Sequence, residues 1–174
     1  MSSINYDLKK IRAMAFDVDG VLSPSTIPMA ADGEPLRMVN IKDGYAIQLA
    51  VKMGYRIAII SGARTQAVVT RFSGLGVEDI FTSVAVKLPC LLEWMKKHSL
   101  KPEEVLFGGD DIPDIEAMAH VGLPVAPADA AAEVKDAAKY ISHLRGGYGF
   151  GRDVIEQVMK AQGTWMADSK AFGW

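Results

Sequence analysis

A three-layer α/β domain built on a parallel sheet is the fold this sequence predicts, and three observations predict it. Short runs that are apolar on both faces alternate with helix-period patterns along the chain, as strands covered on both sides by helices require. Two of those runs end in glycine and carboxylate, at Phe16-Asp17-Val18-Asp19-Gly20 and at Phe107-Gly108-Gly109-Asp110-Asp111. The chain has 174 residues, which suits one domain with a single core.

The elements follow in order. Ile11 to Phe16 reads as the first buried strand, then Arg56 to Ile60, Val105 to Phe107, Leu123 to Ala126 and the weaker Tyr140 to Ser142. Asp43 to Met53 carries Ile47, Leu49, Ala50 and Met53 at helical spacing and stops at Gly54. Arg64 to Leu75 follows a Ser-Gly turn and stops at Gly76. Leu88 to His98 has Pro89 in its first turn, where proline is tolerated. Pro113 to Ala119, Ala130 to Ala138 and Arg152 to Ala161 complete the helices.

One segment breaks the alternation. Leu22 to Ile41 holds Pro24, Pro28 and Pro35 around Ala31-Asp32-Gly33-Glu34. Asp-Gly between the short runs Thr26 to Met29 and Leu36 to Asn40 predicts a β-hairpin. This flap, about residues 22–41, would stand over the C-terminal edge of the sheet, where open α/β sheets bind ligands. No large cap domain and no repeat is visible, so residues 1–174 read as one domain. Its tail, about residues 163–174, carries Trp165, Phe172 and Trp174, apolar surface that is expected to dock on its own or a neighbouring subunit.

Composition excludes several function classes. A formal net charge of −2 and a pI near 5.9 argue against a nucleic-acid surface. A lone Cys90 rules out an internal disulfide, which suits a reducing compartment; in its apolar setting it reads as a buried structural thiol. The segment Met1-Ser2-Ser3-Ile4-Asn5-Tyr6-Asp7 has no basic region leading into an apolar run, so no leader peptide is expected. The apolar stretches are strand-length, so no membrane span is expected, and the cytoplasm is the default location. His98, His120 and His143 lack metal-ligand spacing, and the methionines read as packing. Gly146-Gly147-Tyr148-Gly149 reads as a tight turn, because no βαβ unit follows it.

The chemistry concentrates at strand ends. Asp17 and Asp19 stand at i and i+2 after the first strand, and Gly20 suggests a turn that brings both over the strand end. Paired carboxylates repel unless a cation lies between them, and an oxygen-only ligand set suits magnesium, which keeps waters and meets substrate phosphate directly. Asp110 and Asp111 follow a second strand, with Asp114 on the next helical turn, where the helix dipole favours a negative charge. Ser61, at another strand end, can offer its hydroxyl and nearby N–H groups to a phosphate, or serve as an ordinary N-cap. Lys87 opens a helix, and alone it would read as a surface residue.

The series Asp-x-Asp, Ser, Lys, Asp-Asp-x-x-Asp resembles the four ordered motifs of the haloacid dehalogenase superfamily. Within it the chain is similar to the capless branch of 3-deoxy-D-manno-octulosonate 8-phosphate phosphatases. Asp17-Val18-Asp19-Gly20-Val21-Leu22, Asp32-Gly33-Glu34, Asn40-Ile41-Lys42-Asp43-Gly44-Tyr45, Gly108-Gly109-Asp110-Asp111, Val121 to Ala126, Ala128-Asp129-Ala130 and Gly146 to Gly149 carry the likeness, over about residues 11–163. The resemblance implies a Rossmann-like three-layer sheet and a Mg2+-dependent phosphatase acting in lipopolysaccharide precursor synthesis. Asp17 would be the nucleophile and Asp19 the acid–base group. Asp17, the Asp19 carbonyl and Asp110 would hold the metal. Ser61 and Lys87 would hold phosphate oxygens, and Asp111 and Asp114 would support the acidic cluster. Asn40, Ile41, Lys42, Asp43 and Gly44 would lie beside the substrate, with Arg64 and Arg71 adding positive charge; a solvated helix face is the other reading of Arg71. A homotetramer with flaps or tails covering neighbouring sites is also implied.

The chain departs from the branch in three places. Ser61-Gly62-Ala63-Arg64 replaces Thr-Gly-Arg, which moves the arginine one residue on, a turn of about 100° if helical. Ser23-Pro24-Ser25-Thr26 replaces an Asp-Gly after the first motif, and Tyr148 replaces an arginine of the late loop. A phosphatase for a nine-carbon sialic-acid-type phosphate, or another sugar phosphate, therefore stays open. So does a receiver-like module that only accepts phosphate, although such a module has no need of Asp19.

Overall fold

The computed structural model describes residues 4–174; residues 1–3 of the stretch read as leaderless lie outside it. Six strands form one sheet in the order β3-β2-β1-β4-β5-β6. They are β1 (Ala13–Phe16), β2 (Arg56–Ile60), β3 (Asp79–Phe81), β4 (Val105–Gly108), β5 (Leu123–Ala126) and β6 (Tyr140–Ile141), and every pairing is parallel. The helices are α1 (Ile41–Lys52), α2 (Gln66–Ser73), α3 (Lys87–Lys97), α4 (Ile115–Met118), α5 (Ala132–Ala137) and α6 (Phe150–Ala161).

The alternation of side chains along a strand divides the core in two. Met14 and Phe16 of β1, with Ile57, Ile59, Leu106 and Val125, pack beneath α1, α2 and α6. Ala13 and Ala15, with Ala58, Ile60 and Phe107, pack beneath Leu91 and Trp94 of α3, Met118 of α4 and Val134 of α5. Both faces of the central strands are thus covered, which is why those runs are apolar throughout. Among the described residues no helix is long and apolar enough to cross a membrane.

Register decides where the chemistry lands. Phe16 lies opposite Ile59 on one side and Gly108 on the other, so β1 and β4 end level and β2 runs one residue further. A Cβ on Gly108 would stand 2.8 Å from the Phe16 ring, so glycine is what lets these two strand ends close up.

Several boundaries differ from expectation. β1 starts at Ala13, because Ile11 closes a 3-10 turn over Leu8–Lys10. β3 had no sequence signal; it is three residues long and opens on a buried aspartate. α2 starts at Gln66, because Thr65 caps it through Ala67 N–H. Pro113 lies in a 3-10 turn, Ile112–Asp114, that precedes α4. The flap turns as expected, but its arms form no ladder. One antiparallel bridge joins Met29 to Pro35, and Ala30 N–H donates to Glu34 O and Leu36 N–H to Pro28 O, both at 2.8 Å. Pro28 and Pro35 have no N–H to extend the pairing. Cys90 is half-buried rather than enclosed, and burial pushes its thiol up to about 11, so it is not activated.

The tail docks on its own chain. Tyr45 O–H donates to Ala171 O at 2.5 Å, and Lys52 Nζ to Gly173 O at 3.0 Å. The Trp165 and Trp174 rings meet Tyr45 edge-on at 6.0 and 6.2 Å.

Candidate active site

The turn after β1 is held by Val18, whose carbonyl accepts N–H groups from Val21, Leu22 and Ser23. Asp17 N–H extends the sheet to Gly108 O, and the Asp17 carboxylate accepts Val18 N–H at 2.7 Å. Gly20 has a φ of +77°, and a Cβ there would stand 1.9 Å from Asp110 Oδ2. Glycine therefore serves both the turn and the approach of Asp110 across the sheet.

Lys87, the first residue of α3, is buried with its Nζ 2.7 Å from Asp17 Oδ2 and 2.5 Å from Asp114 Oδ1. The other Asp114 oxygen accepts Asp110 N–H at 2.9 Å and Asp111 N–H at 3.3 Å. Asp114 thus straps the β4 loop to the lysine, while Asp111 is exposed and bonds Ile112 N–H. Ser61 is buried at the end of β2, and its Oγ accepts Ala63 N–H at 3.2 Å.

Carboxylate oxygens of Asp17, Asp110 and Asp114 lie within 4.8 Å of one another. Burial first, then the charges of Asp17 and Asp114, push Asp110 up to about 8. Burial also raises Asp17, with Lys87 opposing and Asp114 adding to it. For Lys87, burial would lower the pKa, but Asp17 and Asp114 outweigh it and hold the ammonium charged. Three buried or half-buried carboxylates against one ammonium leave a deficit of positive charge. A divalent cation that takes oxygen ligands fits that deficit. The cluster holds the Asp114 carboxylate, already engaged by Lys87, and not the Asp19 carboxylate, which points to a different partner.

That partner is Arg37 of the flap. Its Nε and Nη2 each donate to an Asp19 oxygen at 2.8 Å. Sequence reading missed Arg37. Its arm, Leu36-Arg37-Met38, would ordinarily turn the apolar residues inward, yet Leu36 and Met38 are exposed and the arginine is the buried one. The only available signal was a cation shortly after the Asp-Gly turn.

Asp17, Asp19, Ser61, Arg64, Lys87, Asp110, Asp111 and Asp114 all line one cavity of about 630 Å³, with Glu34 and Arg37 of the flap. The structure does not bring the other expected contacts to it. Asn40, Ile41 and Lys42 line a separate cavity of about 1110 Å³ with Tyr148 and Arg152. Asn40 caps α1 through Lys42 N–H and Asp43 N–H, and its Nδ2 donates to Gly147 O. Asp43 is buried and accepts Arg152 N–H at 2.8 Å, so it anchors the first turn of α6. Burial pushes it up to about 6. Gly44 makes room for Arg71, whose Nη2 lies 2.2 Å from where a Cβ would stand. Arg71 thus lies against the start of α1, neither in the catalytic cavity nor on a fully solvated face.

The fold and this edge define a class: a capless α/β hydrolase with an Asp-x-Asp motif at the end of its first strand. The sequence pattern of the haloacid dehalogenase-like hydrolases matches residues 58–145. A 3-deoxy-D-manno-octulosonate 8-phosphate phosphatase KdsC of Salmonella typhi is 37% identical over 155 residues, 89% of this chain and 82% of that one. The crystal structure of the phosphatase of that name from Yersinia pestis superposes with a TM-score of 0.87 at 35% identity, covering 91% of this chain and 85% of that one. The Moraxella catarrhalis phosphatase, solved with magnesium, phosphate and KDO, gives a TM-score of 0.89 at 29% identity, with 96% of each chain covered. The chain belongs to the haloacid dehalogenase-like hydrolases, on the capless branch that these phosphatases represent, and it is a phosphoric monoester hydrolase.

Proposed function

We propose that this enzyme hydrolyses 3-deoxy-D-manno-octulosonate 8-phosphate to the free sugar acid and phosphate, with Mg2+ as cofactor and an aspartyl-phosphate intermediate. The observation that carries the mechanism is Asp17, buried at the end of β1 with Lys87 Nζ at 2.7 Å and Asp110 converging from β4. An Asp17 oxygen attacks phosphorus and the bond to the sugar oxygen breaks, with Asp19 delivering the proton that the leaving alkoxide needs. Water then attacks the aspartyl-phosphate, Asp19 takes its proton, and the Asp17–phosphorus bond breaks to free phosphate. One acid–base group serves both halves because the first half leaves it ready for the second.

Lys87 and Ser61 would receive phosphoryl oxygens, and Asp111 and Asp114 would support the acidic edge. Phosphoryl transfer depends mainly on such alignment and charge stabilisation. Asp17, Asp110 and the Asp19 carbonyl would hold Mg2+, which when bound neutralises charge on the phosphoryl group. Arg64, exposed at the cavity rim, adds positive charge for the sugar acid. The element Asn40 to Gly44 and Arg71 would reach substrate only by belonging to a neighbour's site. A homotetramer is the assembly we propose, supported by Met29, Leu36 and Met38, which the flap leaves exposed. A lone, unactivated cysteine supports a reducing, cytoplasmic setting.

Phosphate release from a panel of sugar phosphates, with and without Mg2+, tests the proposal. The eight-carbon substrate should be turned over fastest, and only with the metal. Equal or faster turnover of a nine-carbon sialic-acid-type phosphate would move the assignment there. The Ala63 that stands in place of arginine makes that comparison the informative one.

A further inference from the structure

We propose that Arg37 is a positioning residue for Asp19, so that closing the flap and aligning the acid–base group are one event. The contact is a two-pronged fork, Nε and Nη2 to the two Asp19 oxygens at 2.8 Å each. A bidentate guanidinium–carboxylate pair fixes the plane of the carboxylate as well as its place. The Asp19 side chain is 41% exposed and Arg37 only 11%, so the flap supplies the buried, directed half of the pair.

Between Ser25 and Val39 the rest of the flap is slightly held: one β-bridge, Met29 to Pro35, and a few hydrogen bonds within its own turn. The fork to Asp19 is therefore the tie that couples this segment to the catalytic edge. Glu34 Oε2 stands 3.9 Å from Nη1, too far to bond it, and Nη1 is buried without a hydrogen-bond partner. The Arg37 guanidinium thus hydrogen-bonds Asp19 and no group of its own hairpin, where only the backbone N–H bonds Pro35 O.

The fork leaves the chemistry room. A carboxylate has about four lone-pair sites, of which the fork uses two, so each oxygen keeps one for the shuttled proton. In the first half, the proton leaves Asp19 for the sugar oxygen as the phosphorus–oxygen bond breaks. In the second, the Asp19 oxygen takes a proton from the water that attacks phosphorus, and the Asp17–phosphorus bond breaks. Both transfers need the oxygen aimed at the reacting atom, and without Arg37 a half-exposed Asp19 is free to rotate towards solvent.

The proposal rests on Asp19 as the acid–base group, and the test separates the two. Arg37→Gln should lower kcat on a sugar phosphate by about 100-fold, the low end for general acid–base catalysis, with KM changed less than about 2-fold. With p-nitrophenyl phosphate, whose leaving group needs no proton, aspartyl-phosphate formation should stay fast and its hydrolysis slow. Stopped flow should then show a burst of about one p-nitrophenolate per active site. Arg37→Lys, which keeps the charge and loses the fork, should show the same burst. Asp19→Asn is the control and should burst as well. If Asp19→Asn bursts and both Arg37 variants slow the two phases equally, or match the wild type, or exceed it, the Arg37 proposal falls alone. If Asp19→Asn shows no burst, the acid–base reading falls and takes this proposal with it.

Discussion

The catalytic edge of the sheet and the flap above it invest their charged groups differently. At the edge, Asp17, Lys87 and Asp114 are buried, and each is held by at least two neighbours. Beneath them β1 and β4 end level, which sets Asp17 beside the loop that follows β4. The flap has almost no ladder and turns Met29, Leu36 and Met38 outward, and its side-chain hydrogen bonds to the edge come from one arginine. Charge that must not move is built on strand ends and a helix start. The charge that reaches Asp19 is hung on a segment with little of its own to hold it. The rigid part can then be aligned for phosphorus without the cost of ordering at each turnover.

The sharpest way to break that contrast is at the edge. Asp17→Asn keeps the shape and the bond to Val18 N–H but removes the nucleophile. Activity should fall by more than about 10⁴-fold, the scale on which removal of a nucleophile is felt elsewhere. Phosphate release at high enzyme concentration measures it. A residual rate within 10-fold of wild type, an arbitrary but generous limit of about 1.4 kcal/mol in barrier, would refute Asp17 as the attacking group.

The edge was legible in the sequence because its signals are local. Asp17 and Asp19 sit directly after an apolar run, and Asp110 follows another, so predicting two parallel strands already predicted that they meet. Ser61 and Lys87 gained meaning from their order along the chain. What could not be read depended on contacts between segments. Arg37 meets Asp19 across 18 residues, and its arm shows the reverse of the usual inward apolar pattern. Asn40 to Gly44 follow the flap directly, yet the capping of α1 by Asn40 and of α6 by Asp43 turns that element towards another cavity. Arg71 reads from the sequence as added positive charge or a solvated helix face, but the room that decides its place is the missing side chain of Gly44. β3 is too short and too polar at its start for periodicity to register.

A second test asks whether the deficit of positive charge at the edge is filled by metal. Asp110 is raised from 3.8 to about 8 in the folded, metal-free protein. A carboxyl that binds its proton more tightly when folded contributes stability below the unfolded pKa and loses it as pH rises through the folded one. The metal-free enzyme should therefore melt at a lower temperature near pH ~8.5 than near pH ~5. Mg2+ takes the place of the proton, so its effect should run the other way, small at the acid end and large at the alkaline end. At ~100 times its dissociation constant the ion would add about 2.7 kcal/mol, or about 5–10 °C for a chain of this size. Thermal melts at both pH values, with EDTA and with Mg2+, check this. An equal shift at the two pH values would show that the ion binds away from Asp110.

The smallest effect is expected at the flap's outer face, and its size is what makes it informative. Met29 is 72% exposed, beside the bridge to Pro35. In a lone subunit Met29→Ser removes little buried area, and surface changes of this kind fall within about 0.5 kcal/mol. A dilute sample should then melt within about 2 °C of wild type. If the outer face packs on a neighbour, as the proposed tetramer requires, the same substitution should lower the molar mass seen by light scattering at equal concentration. Unchanged mass and unchanged melting would leave the flap's apolar surface without a partner on that side, and Arg37 as its one functional contact. A drop in melting temperature of more than about 5 °C at high dilution, equal to several times the surface expectation, would show instead that the flap is bound into the subunit's own core, and the contrast with the catalytic edge would disappear.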